Sequence, residues 1–563
     1  MTSPITVSPG DLPLQCLYRW ERERSQQVYL TQPTGGGAVQ DITWGQAGDQ
    51  VRRMAGWLQA QGWPAGSRVA IIGKNSAHWI LADLAILMAG YVSVPIYPTF
   101  NGEALSYILK HSEARACFVG KMDETANLQT GIAADLPLIA LPLAPAIKAL
   151  QWNDLLAQSA PLQGTPAPDP GSMCTIIYTS GTTGQPKGVV HTFNTIAWGI
   201  TSATRRVRMS SDDRFISYLP LAHVAERMLI EQASLRYGGH IFFAENLDTF
   251  VQDLQRARPT IFFSVPRLWV KFQQGVHAKM PAAKLKRLLG LPLIGWLVRR
   301  KILKGLGLDQ CRIAAGGAAP MPADVLQWYR DLGLDLIEVY GMTENCAISH
   351  ATLPGSPKTG TVGLPYEGVE QRIDPENGEI QMRCPALMRG YYKQPEQTAA
   401  TMTEDGWLRT GDKGRIDRDG YLSITGRVKD IFKTSKGKYV APAPVEDLLV
   451  MHPDVEACLV TGANLAQPLA LLMLSADAVA RCASQESKQE LTESLKLHLK
   501  SVNARLEPHE KLACLAVVTT PWTPENGFVT PTLKVKRRRV EEAYADQYET
   551  WCTRAEPVVW TGA

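Results

Sequence analysis

Short apolar runs spaced by longer segments of helical periodicity constrain this chain more than any other feature. Between Thr43 and Gly120 the order is an amphipathic stretch at Ala47–Gln61, an apolar strand at Val69–Gly73, a helix at Ala77–Ala89 and a strand at Tyr91–Ile96, which reads as βαβ units. The alternation continues through Met173–Tyr178, Arg214–Tyr218, Ile241–Ala244 and Thr260–Val265, and it predicts layered α/β sheets. Leu155–Gly171, with Pro161, Pro166, Pro168 and Pro170 among small and polar residues, reads as an irregular connector.

A chain of 563 residues exceeds what one core ordinarily serves, so two or more domains are expected. Beyond Gly378 strands and turns dominate, with Asp-Gly pairs at hairpin-like positions. After Arg427 a new α/β pattern starts, with a helix at Pro444–Met451, a strand at Val455–Gly462, a long helix near Ser487–Leu506 and a strand around Leu512–Thr519. The expected division is a large N-terminal domain over 1–426, containing a β-rich, barrel-like subdomain at about 350–426. A hinge at 427–430 and a small, mobile α+β domain over 431–563 follow.

Charge and cysteine usage exclude several classes. The 58 Lys and Arg against 54 Asp and Glu leave a formal charge of +4, which argues against bulk nucleic-acid binding. The ten cysteines form no CxxC pair and no metal-ligand spacing with histidines, and they suit a reducing cytosol. The first residues lack the basic and apolar regions of a secretory signal, and no uncharged apolar run is long enough to span a bilayer. A cytoplasmic protein is expected.

The sharpest local signal is Tyr178-Thr-Ser-Gly-Thr-Thr-Gly-Gln-Pro-Lys-Gly188, directly after an apolar strand. Gly181, Gly184 and Gly188 let the backbone approach an anion, Thr179, Ser180, Thr182 and Thr183 offer donors, and Lys187 supplies compensating charge. A GxxxxGK[ST] loop is excluded, because Pro186 stands where its second glycine belongs and Gly188 where a hydroxyl would bind magnesium. The run resembles instead the signature loop of the adenylate-forming superfamily: acyl-CoA synthetases, luciferases and peptide-synthetase adenylation domains.

Further phrases resemble the same superfamily in order, in wording nearest the long-chain fatty acyl-CoA synthetases. They include Ala89-Gly-Tyr-Val-Ser-Val-Pro95, Tyr218-Leu-Pro-Leu-Ala-His223-Val224-Ala-Glu-Arg227 and Val265-Pro-Arg-Leu-Trp269. Gly316-Gly317-Ala318-Ala319-Pro320 resembles the adenine-contacting loop, and Tyr340-Gly341-Met342-Thr343-Glu344 ends another apolar strand. A carboxylate beside a polyphosphate needs a cation between them, so Glu344 reads as a Mg²⁺ ligand, with Thr179 beside it and Thr343 donating to phosphate. The resemblance adds Glu338, Val339 and Tyr340 to the nucleotide contacts and places His223, Val224, Gly316 and Gly341 around the acyl group. His223 is equally open to a structural role, and the Val265–Trp269 phrase to a helix start with a packing aromatic.

Asp412, in Trp407-Leu-Arg-Thr-Gly-Asp412, resembles the aspartate that accepts from both ribose hydroxyls, with Ile424 and Arg427 beside the nucleotide. Lys429 takes the family's hinge position. The loop with Lys433, Ser435, Lys436 and Gly437 suits the acidic nucleotide of coenzyme A, although charge runs are commonly just solvated. Lys534, in Thr532-Leu-Lys534, takes the place of the catalytic lysine. What the resemblance implies is an ATP- and Mg²⁺-dependent ligase that converts a carboxylic acid, expected to be medium- to long-chain fatty, to an acyl-adenylate and then to an acyl-CoA. Loading of a carrier protein and a non-catalytic nucleotide- or lipid-binding role are the alternatives. Lys284–Lys304, basic at both ends around an apolar centre with Trp296, is open between a helical packing insert and a peripheral contact at the inner face of a membrane.

Overall fold

The computed structural model describes residues 5–179, 185–319, 321–353, 355, 358–530, 534–554 and 556–561. The chain divides into two compact units, Met1–Gln371 with Met382–Leu408, and Arg372–Gln381 with Arg409–Ala563. The turn expected as a hinge at 427–430 directly follows the strand Leu422–Arg427, which pairs with Leu408–Ile416.

The βαβ reading is realised in an eight-stranded sheet. Its order is Gly390–Tyr391, Lys187–Thr192, Met173–Thr179, Val92–Ile96, Arg68–Ile72, Ala114–Val119, Leu138–Ala140 and Leu150–Gln151. From Met173–Thr179 onward the neighbours run parallel, while Lys187–Thr192 returns antiparallel. Val92–Ile96 is buried at every position and the helix Ala77–Met88 along its whole length. A helix that is apolar on all sides has to sit inside the layers. Ser76 starts it by accepting the Trp79 N–H at 3.2 Å.

Two further sheets complete the first unit's α/β layers. Arg214–Ser217, His240–Phe243, Val28–Gly35 and Ala38–Thr43 form one. Ile261–Ser264, Ile313–Gly317 and Leu336–Tyr340 run parallel in the other, closed off by the antiparallel His350–Ala351 and Leu364–Pro365. In the connector expected over 155–171, helix Trp152–Gln158 takes the first residues, since Trp152 and Leu155 are buried and carry it into the core.

The second unit holds the antiparallel pair Leu408–Ile416 and Leu422–Arg427, turned at Asp419-Gly420 with Gly420 at φ +87°. A further sheet of this unit is Val455–Thr461, Leu469–Leu474, Leu515–Val518 and Val558–Trp560, with the long helix Gln485–Asn503. Leu469–Leu474 and Val558–Trp560 were not anticipated from the sequence. Among the described residues no helix is long and apolar enough to cross a membrane.

Candidate active site

Ser180, Gly181, Thr182, Thr183 and Gly184 lie outside the described residues, but the strands that carry their loop do not. Thr179 and Lys187 face each other across the antiparallel pair, so the loop's two ends are clamped by backbone pairing. Gly188 has to be glycine: a Cβ there would lie 2.6 Å from Ile176 Cγ2 and 3.1 Å from the Tyr178 ring. The Lys187 ammonium sits 5.3 Å from the centre of the Tyr391 ring, a cation–π contact.

Tyr391 connects this lysine to the carboxylate. Its strand, Gly390–Tyr391, pairs with Val190 and Val189, and its hydroxyl donates to Glu344 Oε1 at 2.7 Å. Glu344 is 9% exposed and lies in the short 3₁₀ turn Thr343–Asn345. The backbone of that turn is pinned twice: Met388 N–H donates to the Glu344 carbonyl at 2.8 Å, and His191 Nε2 lies 2.7 Å from the Thr343 carbonyl. Since a carbonyl only accepts, His191 carries its proton on Nε2, which leaves Nδ1 to accept from Cys346 Sγ at 3.2 Å. Burial lowers the pKa of His191 to about 4, so the ring is neutral at physiological pH, as a one-donor, one-acceptor role requires. Neither His191 nor Tyr391 was singled out from the sequence. For His191 a signal existed, because strand alternation puts Lys187, Val189 and His191 on one side; Tyr391 is distant in sequence from everything it touches here.

The expected adenine loop follows from two parallel strands. Gly316 lies opposite Glu338 and Gly317 opposite Val339. A Cβ on Gly317 would meet Val339 Cγ2 at 2.8 Å, and one on Gly316 would meet Met321 Cε at 2.5 Å. Ala318 takes φ +70°, a left-handed conformation that costs a non-glycine residue energy and recurs at functional sites. Pro320 lies outside the described residues. Glu338, 8% exposed, accepts the Met321 N–H on Oε1 at 3.2 Å, while its Oε2 is buried with no partner among the described residues. Burial pushes its pKa up to about 7. Such a buried oxygen is uncommon and is available to a donor from water or a ligand. Tyr340 and Met342 are half-buried beside this strand end, and a Cβ on Gly341 would lie 2.3 Å from the Ala347 carbonyl.

His223 is the N-cap of the short helix Val224–Glu226, its Nδ1 accepting the Ala225 N–H at 3.1 Å. Its neighbour Val224 is buried. The same phrase holds a group missed from the sequence: Glu226 accepts from Ser217 Oγ at 2.8 Å and Tyr218 N–H at 3.0 Å, and burial pushes its pKa up to about 8. Arg227 is buried between Asp83, at 2.5 Å, and Glu231, at 3.2 Å, so the phrase is braced from inside. Tyr218 donates to the Phe263 carbonyl at 3.3 Å, which ties it to the strand Ile261–Ser264. Trp269 is a packing aromatic, fully buried, with its indole N–H on the Ala315 carbonyl at 3.3 Å.

In the second unit Asp412 and Arg427 are cross-strand partners, with Arg427 Nε donating to Asp412 Oδ1 at 2.8 Å. Ile424 lies on the same strand, opposite Gly414. Lys429 is exposed in the turn that follows. Lys433 closes the small strand pair Phe432–Lys433 and Tyr439–Val440, with Ser435, Lys436 and Gly437 in its connection and Gly437 at φ +77°. Lys534 is exposed; its N–H donates to Thr530 Oγ1 at 3.1 Å and its carbonyl accepts the Thr530 N–H at 2.8 Å. Arg537, from the neighbouring basic cluster, is inward-facing and salt-bridged to Glu446 at 2.6 Å.

Among the described residues no cluster of three or more acidic, histidine or cysteine side chains could cage a metal ion. A single buried carboxylate held by a tyrosine hydroxyl fits Mg²⁺, which is usually bound through one or two carboxylates together with substrate phosphates and water.

Comparison with known proteins places the chain in a family. A family model described as AMP-binding enzyme matches residues 17–392, and one described as AMP-binding enzyme C-terminal domain matches 429–556. The chain is 30% identical to "Long-chain-fatty-acid--CoA ligase FadD15" of Mycobacterium bovis, covering 97% of this chain and 98% of that one. It is 31% identical to "Long chain acyl-CoA synthetase 6, peroxisomal" of Arabidopsis thaliana, over 91% and 82% of the two chains. Its fold is similar to the adenylation domain of a carboxylate reductase from Mycobacterium chelonae, with a TM-score of 0.79 at 23% identity over 97% and 92% of the chains. With a large N-terminal and a small C-terminal domain of this α/β type, the chain belongs to the AMP-binding enzymes, in the adenylate-forming superfamily and similar to its long-chain acyl-CoA synthetases.

Proposed function

We propose that the chain is an AMP-forming acid–CoA ligase that takes a medium- to long-chain fatty acid, ATP and coenzyme A to acyl-CoA, AMP and pyrophosphate through an acyl-adenylate. The observation that carries this reading is the linked set Lys187, Tyr391 and Glu344: a cation and a buried carboxylate held in fixed relation, the cation opening the strand that follows a sequence segment rich in glycine and hydroxyls. The names of the long-chain ligases to which the chain is similar support the CoA acceptor and the fatty substrate.

A carboxylate acylates poorly because oxide would have to leave; exchange onto AMP supplies a good leaving group. In the first half-reaction the substrate carboxylate attacks the α-phosphorus and pyrophosphate departs. Lys187 and the 179–184 donors hold the polyphosphate, and Lys534 neutralises charge developing on the phosphoryl oxygens. Thr179 and Glu344 would hold Mg²⁺, which when bound screens the phosphate charge. Glu338 Oε2 accepts from an amino group of the base, in the loop of Gly317, Ala318, Ala319 and Pro320, while Asp412 and Arg427 serve the ribose. In the second half-reaction the CoA thiol attacks the adenylate carbonyl and AMP leaves. His223, Val224, Gly316 and Gly341 surround the acyl group, and the 433–437 loop takes the CoA nucleotide. The nucleophile arrives on the cosubstrate, so no protein cysteine is required. Lys429 is the proposed hinge between the two half-reactions. Peripheral membrane contact through 284–304 belongs to the same reading.

The test is pyrophosphate exchange and AMP release across acids from acetate to oleate, with free CoA and with a holo carrier protein as acceptors. Lys534→Ala is expected to lower adenylate formation on the order of 100- to 1000-fold with ATP binding and melting temperature unchanged. Near-normal exchange in that variant would defeat the assignment, and turnover with the carrier protein alone would replace the CoA acceptor.

A further inference from the structure

The segment between Pro281 and Gly305 folds as two helices, Ala282–Leu289 and Pro292–Gly305. Gly290 closes the first, and Pro292 opens the second at a position where its missing N–H costs nothing. A packing insert would bury its apolar side chains. Here only Leu285 and Gly295 are buried within the two helices. Leu291, Leu293, Ile294, Trp296 and Leu297 are 43%, 81%, 46%, 54% and 57% exposed. Leu293, Trp296, Leu297, Arg300 and Lys304 recur at helical spacing and share one face.

Charge is segregated onto the same element. From Pro281 to Gly305 there are seven basic residues and no acid, which leaves 51 Lys and Arg against 54 Asp and Glu in the rest of the chain. The hairpin therefore carries the whole positive excess of a protein that is otherwise slightly acidic. It is also fixed to the body it stands on. Arg299 Nε donates to the Asp331 carbonyl at 2.8 Å and Gln255 Nε2 to the Gly305 carbonyl at 2.6 Å, while the two helices pack closely on each other where a Cβ on Gly295 would meet the Leu289 carbonyl at 2.6 Å. Arg300 stacks over the Trp296 ring at 5.5 Å, keeping its charge at the edge of the apolar strip.

We propose that this hairpin is a docking surface for an anionic lipid bilayer, with Leu293, Trp296 and Leu297 entering the interface and Arg300, Lys301 and Lys304 meeting lipid phosphates. An exposed apolar strip on a convex helix, edged by cations and free of acids, matches a planar negative surface better than a protein groove. The inference rests on the membrane-contact part of the functional reading and is independent of the adenylation chemistry.

The purified full chain is sedimented with phosphatidylcholine vesicles, with and without phosphatidylglycerol. Beside it run a variant with Leu293→Ser, Trp296→Ser and Leu297→Ser and another with Arg300→Glu, Lys301→Glu and Lys304→Glu. AMP release from octanoate without vesicles and melting temperature are recorded for all three. The wild type is expected to pellet with phosphatidylglycerol vesicles and less so at high salt. Each variant is expected to lose at least about tenfold in partitioning at unchanged AMP release and melting temperature. A wild type that stays in the supernatant, binding indifferent to phosphatidylglycerol, or a charge-reversed variant that pellets equally overturns the proposal. Vesicle binding without AMP release from any acid sustains the docking and defeats the enzymatic reading instead.

Discussion

The candidate residues of the two compact units are built in opposite ways. In the first, Glu344 is buried and its surroundings are wired: Tyr391 on the carboxylate, Met388 and His191 on the turn's backbone, Lys187 against the Tyr391 ring. In the second, Lys429, Lys436 and Lys534 are exposed on turns, and the best-held pair is Asp412 with a half-exposed Arg427. A fixed charge geometry around phosphate has to be preorganised before substrate arrives, because reorganising it during the reaction adds to the barrier. Residues proposed to act in one half-reaction and leave in the other would gain nothing from being locked. The first set should therefore couple activity to stability, and the second should not.

Glu344→Ala is the strongest way to break that contrast. It should lower kcat/KM on the order of 100- to 1000-fold and also lower the melting temperature, since it strands the Tyr391 hydroxyl; a variant as stable as the wild type would remove the distinction from Lys534→Ala. His191→Leu follows. It leaves the Thr343 carbonyl without its donor and should cost about 1 to 3 kcal/mol of stability by denaturant unfolding, with His191→Gln recovering part of the loss. Tyr391→Phe keeps the ring under Lys187 and removes only the hydroxyl, so about a fivefold loss of rate and a raised half-saturating Mg²⁺ concentration are expected, which a steady-state Mg²⁺ titration reads.

The smallest effect is that of pH. Burial lowers His78, His191, His240 and His350, all in the first unit, to about 4. Between pH 6.5 and 4 the unfolded chain binds more protons at these rings, so stability falls as pH falls through that window, by less than about 1 kcal/mol per histidine at pH 6. Glu226, Glu338 and Asp447, raised chiefly by burial to about 8, about 7 and about 7, oppose this, because the folded chain holds their protons and their contribution is lost as pH rises. Stability measured by denaturant unfolding from pH 7 to pH 5 should therefore fall by much less than the four histidines alone dictate.

How legible the site was follows from where its information resides. The strand before the phosphate loop was read at Met173–Tyr178 and runs Met173–Thr179; Leu336–Tyr340 was read residue for residue. Both are local patterns of apolar residues ending in glycine-bearing turns. The strand Val558–Trp560 escaped because it is short and pairs with Leu515–Val518, far away in sequence. The side chains that hold Glu344 escaped for the same reason: Tyr391 reaches it across 47 positions, and His191 reaches Thr343 across 152.

By itself the sequence determined the α/β alternation, the order of the phosphate loop, carboxylate, aspartate and lysine phrases, and the family they resemble. Those are properties of residue type and spacing, which folding does not alter. Only the tertiary structure decided that Trp269 and Arg227 are braces, that His223 caps a helix, and that Glu338 keeps a buried oxygen with no partner among the described residues. It also decided that the apolar centre of 284–304 faces outward, not inward. Burial is a property of what packs against a residue, and no window of neighbours along the chain contains it.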